Sequence, residues 1–312
     1  MLNKFLQSDD DFHLLSLDEK KSYETNHYTQ AKPRTLFAVV LQHTSAKVGL
    51  LILTLLFLFA LFYPSFCTYS YQETHLSQKN APPSYEHFLG TDDLGRDLAV
   101  RVAHGMRISL MIGITAALLD MFIGLCFGAI SGYFGGTIDH VMMRIADLIY
   151  SLPYLLAVII IAAWVGPGIF SILVAMCLIG WIQMARLVRG QVLQAKQFDY
   201  VLSAYALGVH PIFIIFRHIL PNISGVVIAM LMLTIPHAIF AEAFLSFLGI
   251  GIQPPLASLG SMVADALPAM RFYPWRLFAP ACTITACILA FNLIGDALRD
   301  ILDPKTKPFY VT

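Results

Sequence analysis

Between Leu148 and Ala185 the chain carries no charged residue. As one α-helix this 38-residue stretch would be about 57 Å long, nearly twice the hydrocarbon thickness of about 30 Å that a membrane offers. It must therefore double back. Gly166, Pro167 and Gly168 stand at its middle, where a tight turn stops the helix, which predicts two spans, Val141 to Val165 and Ile169 to Val188. The same criterion predicts four more. Val48 to Gln72 has no charge and Val48 to Phe62 is almost unbroken Leu, Ile, Val and Phe; Ile108 to Ile130 follows, interrupted by Asp120; Ile219 to Phe240 and Leu277 to Ile294 complete six.

Six spans put both termini on one side. Cytoplasmic flanks are enriched in Lys and Arg, and with the N-terminus inside, 14 of the 20 such residues fall on the cytoplasmic side. The exceptions are Lys79, Arg96, Arg101, Arg107, Arg271 and Arg276. The expected layout is a polar cytoplasmic segment over 1–45, a six-span domain over 46–305 and a short tail over 306–312. Outer loops fall at Thr68 to His104 and Gly249 to Trp275, and one substantial inner loop at Arg189 to His218. The polar start, from Asp9 through Lys20 and Lys21 to Arg34, lacks the short apolar core of a removable signal peptide.

Composition narrows the function. Hydrophobic residues make up 57% and charged residues 13%, and the formal net charge is zero. A soluble domain has about a quarter charged residues, which argues against a soluble enzyme, and a neutral chain offers no basic field to nucleic acid. Cys67, Cys126, Cys177, Cys282 and Cys287 form no Cys-x-x-Cys pair and read as small apolar side chains. No Gly-Lys pair occurs, so the phosphate-cradling loop of an ATPase is missing. His237 and Glu242 stand five residues apart, about 140° around a helix, and do not form a metalloprotease pair. The chain reads as a non-enzyme that binds no cofactor or metal itself.

The inner loop is the most informative part. Tyr200, Leu202, Ser203 and Ala204 read as a short helix with small residues that allow close approach by another protein. Gly208 suits its left-handed end, and Leu220-Pro221 begins the next span. A docking peg and a connector lying on the membrane surface are both open. Gly208 followed by Leu220-Pro221 resembles the cytoplasmic loop signature of bacterial ATP-binding-cassette importer permeases. Four further segments resemble the C-type permease subunit of oligopeptide and dipeptide importers: Leu89 to Asp97, Ser151-Leu152-Pro153, Ala241 to Gly249 with Gln253-Pro254-Pro255, and Ala290 to Asp296 through Arg299-Asp300 to Asp303-Pro304. Leu202 stands where many permeases carry an acidic residue, and Leu259 precedes Gly260 where the family usually has Trp.

That resemblance implies an all-α integral membrane protein with the six-helix fold of type I importer permeases. It implies a cytoplasmic coupling helix over Tyr200 to Val209, with Tyr200, Leu202, Ser203, Ala204, Gly208, Leu220 and Pro221 as the residues that couple to the ATPases. The implied partners are a second permease, two P-loop ATPase subunits that use the ATP, an extracytoplasmic substrate-binding protein and the lipid bilayer, in a bacterial inner membrane. The group handles di- and oligopeptides, and relatives take nickel complexes, glutathione or antimicrobial peptides. An ion-gradient-driven secondary transporter is the alternative class.

Four polar residues of the first outer loop, Asp92, Asp93, Arg96 and Asp97, are open to two readings. Either they contact the binding protein, or Thr91, Asp92 and Asp93 cap a helix whose Leu98, Val102 and Met106 face anchors it at the outer interface. A carboxyl inside a membrane is costly and must face protein or water. Glu242, near Ser246, could line the translocation path or satisfy backbone groups at a broken helix; for Asp120 a local helix partner is expected. Pro153 and Pro236 are expected to kink their spans, a feature a gating helix can use. Asp296, Arg299, Asp300 and Asp303 are spaced for ion pairing on one helix face.

Overall fold

The computed structural model describes residues 43–253 and 255–302. The polar segment up to residue 42, Pro254, and the tail with Asp303 and Pro304 lie outside the described residues. The described residues contain helices and loops but no strand beyond a single bridge between Thr91 and Asp97.

Helix α1 spans Thr44–Phe66 and α2 spans Leu98–Phe134. Helices α3, Gly136–Tyr150, and α4, Tyr154–Val165, meet at a bend of 80°. Helices α5, Ile169–Ile179, and α6, Trp181–Ala195, flank Gly180, whose helical dihedrals keep the pair in line. The short helix α7, Asp199–Ala206, leads to α8, Pro211–Ile214, and a π-turn over Ile215–Ile219. Helix α9, Leu220–Phe247, continues that line. Helices α10, Leu259–Ala266, and α11, Trp275–Leu302, close the chain. Five of these units are long and apolar enough to cross a membrane, and six if α3 and α4 form one broken span.

The structure corrects several expected boundaries. No separate anchor helix precedes the second span: α2 runs unbroken for 37 residues, because neither Pro nor Gly interrupts it after Gly105 strongly enough to end it. Its Leu98, Val102 and Met106 do share a face, but that face is buried against Leu259, Met262 and Trp275 instead of lying on lipid. The cap is Asp97, whose carboxylate accepts from the Val100 N–H at 2.8 Å. The expected span Val141 to Val165 is broken at Pro153, since proline cannot continue the preceding turn and drives its neighbour out of helical geometry. The expected span ending at Val188 runs on to Ala195, so Arg186 and Arg189 sit on a helix and the inner loop is shorter. Helix α9 passes through Pro236 without a break.

Close packing explains why α2 and α6 are central. Gly124, Gly128 and Gly132 form a stripe along α2. A Cβ at these positions would fall 2.6 Å from Met184 Cβ, 2.8 Å from Val188 Cβ and 2.9 Å from Val192 Cβ. Small residues at every fourth position let two backbones approach where lipid supplies no hydrophobic drive. A second tie joins α2 to α1. Pro64 has no N–H to give, which frees the Ala60 carbonyl, and Arg107 fills the vacancy by donating to Ala60 O at 2.6 Å and Leu61 O at 2.9 Å.

Candidate functional site

One end of the bundle, here the loop end, gathers residues 67–97 and 248–274; the opposite end carries α7. At the loop end Asp92, Asp93, Arg96 and Asp97 all find partners inside the chain. Asp92 accepts from the backbone N–H of Leu94 and Arg96, both at 2.9 Å, from Arg96 Nε at 2.6 Å, and pairs with Arg101 at 3.0 Å. Asp97 caps α2 and holds His87 Nδ1 at 2.9 Å. Asp93 reaches Arg276 at 3.2 Å, and Arg276 also donates to Asn80 at 2.9 Å. Asp92 and Asp97 are only 4% and 2% exposed, so neither side chain is available to an outside partner; Asp93 and Arg96 keep partial exposure. Asp265 on α10 lines a cleft of about 130 Å³ with Arg96, Arg101 and Ser246. Desolvation in that cleft, and then the Asp93 charge, holds its carboxyl above the ordinary carboxylate range, with Arg96 and Arg276 pulling the other way.

Glu242 is fully buried. Ser109 of α2 donates to its Oε2 at 2.7 Å and Ser246, one turn on, donates to its Oε1 at 2.8 Å. The backbone N–H groups of Leu259 and Ile252 approach those same two hydroxyls at 3.4 Å. Of the two readings open at Glu242, the geometry is that of an internal tie joining α2, α9 and the second long loop, and it lines neither the cleft of Asp265 nor the larger cavity beside α9. Ser246 shares that tie and also borders the cleft of Asp265.

Of the two carboxyls placed inside the spans, Asp120 is the one that borders a cavity. A cavity of about 520 Å³ lies among α2, α5, α6, α9 and the α3–α4 bend, lined by Asp120, Tyr154, Gln183, Thr234 and His237 among others. The expected local helix partner is missing, for Asp120 Oδ1 is buried with no hydrogen-bond partner. Pro153 sits at the bend beside Tyr154, while Pro236 is buried within α9. Sequence reasoning assigned no role to Gly180, although a Cβ there would collide with the Asp120 carboxylate. Gln183 escaped notice and His237 was weighed only against Glu242 as a metal pair, although polar side chains exposed in the middle of apolar helices signal a water- or protein-facing surface.

At the opposite end, α7 packs inward through Val201 and Ala204, which join a core with Ile214, Ile219 and Ile223. Residues three apart on a helix share a face, so Tyr200, Leu202, Ser203 and Tyr205 point outward and are exposed. Tyr205 and Leu207 are 70% and 83% exposed. The Tyr200 hydroxyl accepts from Asn222 Nδ2 at 2.8 Å, which ties α7 to the Leu220-Pro221 start of α9. Gly208 breaks the chain after α7 with φ 75°. A partly buried knot ties α2, α3 and α6 together: Arg189 of α6 donates twice to Asp139 of α3 at 2.5 Å, and Ser131 of α2 donates to the same carboxylate. Asp296, Arg299 and Asp300 are exposed on the last turns of α11.

Residues 124–308 match the family described as binding-protein-dependent transport system inner membrane component. Residues 37–83 match the N-terminal transmembrane domain of oligopeptide transport permease C. The oligopeptide transport system permease protein OppC of Bacillus subtilis is 51% identical over 84% of this chain and 86% of its own length. The dipeptide transport system permease protein DppC of the same organism is 49% identical over 84% and 82%. OppC of Escherichia coli is 41% identical over 86% and 89%.

Proposed function

Starting from the fact that this chain belongs to the family of binding-protein-dependent inner membrane transport components, in its oligopeptide permease C branch, we propose how it works. It is a multi-pass inner membrane protein and a permease subunit of a peptide importer. In our reading both termini and α7 lie in the cytoplasm and the loop end faces outward, as the Lys and Arg distribution favours. Half of a translocation pathway is contributed by this chain and half by a second, similar permease. Two ATPase subunits bind the ATP, since this sequence holds no phosphate loop of its own. An extracytoplasmic binding protein delivers di- or oligopeptide.

The observation that carries the reading is α7. Eight residues long, it is anchored by Val201 and Ala204 yet displays Tyr200, Leu202, Tyr205 and, just beyond it, Leu207 to solvent. A solvated connector has no need of four such side chains, whereas a helix seated in a groove of an ATPase does. Its inner face rests on the same core as α6 and α9, so a push on α7 reaches the spans as a rigid displacement. ATP binding shifts the permease between two packings only through the difference in affinity for them.

Gentle detergent purification of the tagged chain from its own source, with mass spectrometry of what stays bound, tests this. Recovery of a second permease with P-loop ATPases is expected. Recovery of the chain alone, with peptide uptake following an ion gradient, would overturn the reading.

A further inference from the structure

Asp120 is only 4% exposed, and no lysine, arginine or histidine nitrogen among the described residues forms an ion pair with it. The walls of its cavity contain no Lys or Arg. A carboxylate in such surroundings is costly unless a cation meets it. Gly180 leaves room for the carboxylate by having no Cβ, so α6 is shaped to accept Asp120 at this depth without shielding it by a partner. The cavity is of small-molecule size, within the usual range of about 300–1,000 Å³, and far larger than a bare ion needs. The described residues offer no group of three His, Cys, Asp or Glu that could hold a metal. The same cavity wall carries hydroxyl, amide and imidazole groups from Tyr154, Thr234, Gln183 and His237, and apolar surface from Met176 and Ala238. An ammonium group takes a carboxylate and neutral oxygen acceptors as its hydrogen-bond partners, and the apolar wall suits the short chain attached to it.

We propose that Asp120 receives the protonated amino terminus of a short peptide in this cavity, giving the permease a peptide site of its own. The proposal rests on the peptide-importer reading and deepens it. The amino group donates to the carboxylate and to nearby hydroxyls, while the first side chains lie against Met176 and Ala238. The charge-assisted hydrogen bond is expected to give at least about tenfold in affinity, which corresponds to about 1.4 kcal/mol.

The test uses the purified complex of this chain with its bound partners in lipid nanodiscs, without binding protein, and isothermal titration with trialanine and N-acetyl-trialanine. Wild-type complex is expected to bind trialanine at least about tenfold more tightly than the acetylated peptide, and Asp120→Asn is expected to erase that difference with the complex still assembled. Equal wild-type affinities for the two peptides, no binding of trialanine, or an Asp120→Asn complex that keeps the difference would each overturn the proposal. Heat released by sodium chloride in place of trialanine, and lost in Asp120→Asn, would assign the site to an inorganic cation and overturn it as well. Trialanine uptake by cells lacking the whole chain tests the importer reading separately, so failure of that reading and failure of the site are distinguishable.

Discussion

Gly95 at the loop end and Gly208 at the opposite end hold the same left-handed backbone, with φ 73° and 75°, in opposite surroundings. A Cβ at Gly95 would run into the backbone carbonyl of His75, whereas a Cβ at Gly208 would meet open space. The contrast extends to the regions around them. At the loop end charged side chains face one another inside the fold; around α7 aromatic and aliphatic side chains face out. Polar residues in the loop that resembles a docking surface thus serve the chain's own architecture. The conformational freedom at Gly208 serves a turn that the chain itself does not crowd.

Substitutions at the two glycines are the sharpest way to break this comparison. Gly95→Ala combines backbone strain of about 1–2 kcal/mol with a collision against main chain that no rotamer change relieves. The expected total is about 4 kcal/mol or more, the range reached only by a few named mechanisms. The variant should fail to accumulate as a folded protein, judged by size-exclusion behaviour and thermal unfolding in detergent. A well-folded Gly95→Ala chain would show that the loop end is softer than its packing indicates.

Asp92→Ala comes next. It removes the partner of Arg96 and Arg101 and the acceptor for two backbone N–H groups, leaving Arg101, 5% exposed, without a counter-charge. Breaking one side of a buried pair costs about 3–5 kcal/mol. Combining it with Arg101→Leu should recover part of the loss, because the coupling between neighbouring groups is not additive. If the single and double variants unfold at the same temperature, the pair is not what holds this end.

Gly208→Asp should cost the chain only about 1 kcal/mol, the strain of a side chain in the left-handed region, and leave the unfolding temperature nearly in place. Uptake should nevertheless collapse while ATP hydrolysis by the assembled complex continues, since a side chain and a charge enter the surface offered to the partner. Normal uptake by a correctly inserted variant would remove Gly208 from the coupling surface.

The same contrast explains what was legible in the sequence. Charge-free runs and the Gly166-Pro167-Gly168 turn announce the spans because the membrane penalises polar groups locally, one segment at a time. Gly208 is legible because its conformation is a local property. The continuity of α2 past His104 is not, since a buried amphipathic face and an interfacial one have the same periodicity. Only contact with Leu259 and Met262 separates them. The tie between Ser109 and Glu242 joins residues 133 apart, and no spacing rule reaches that far. Asp120 stood out as a carboxyl in an apolar run, but its cavity is made by four other segments. The Gly124, Gly128 and Gly132 stripe went unread in the sequence, although small residues at every fourth position signal close helix approach.

The smallest expected effect refines the loop end. Asp265 is held above the ordinary carboxylate range mainly by desolvation and then by Asp93, so the folded chain binds its proton more tightly than the unfolded chain does. Where the folded state holds more protons, stability falls as pH rises. The loss therefore begins in the ordinary carboxylate range and is complete once pH passes the raised folded value. Asp265→Asn removes that penalty. Because the residue keeps solvent contact, screening limits the gain to a fraction of a kcal/mol, on the order of 0.5. The variant should unfold at a slightly higher temperature than wild type near neutral pH, with no gain near pH 3, where a carboxyl with an ordinary value of about 3.9 is mostly protonated in both states. A gain that is the same at both pH values would mean that the new amide makes a hydrogen bond the carboxyl does not, and that the charge of Asp265 costs nothing. The loop end would then be a region whose charges are all matched.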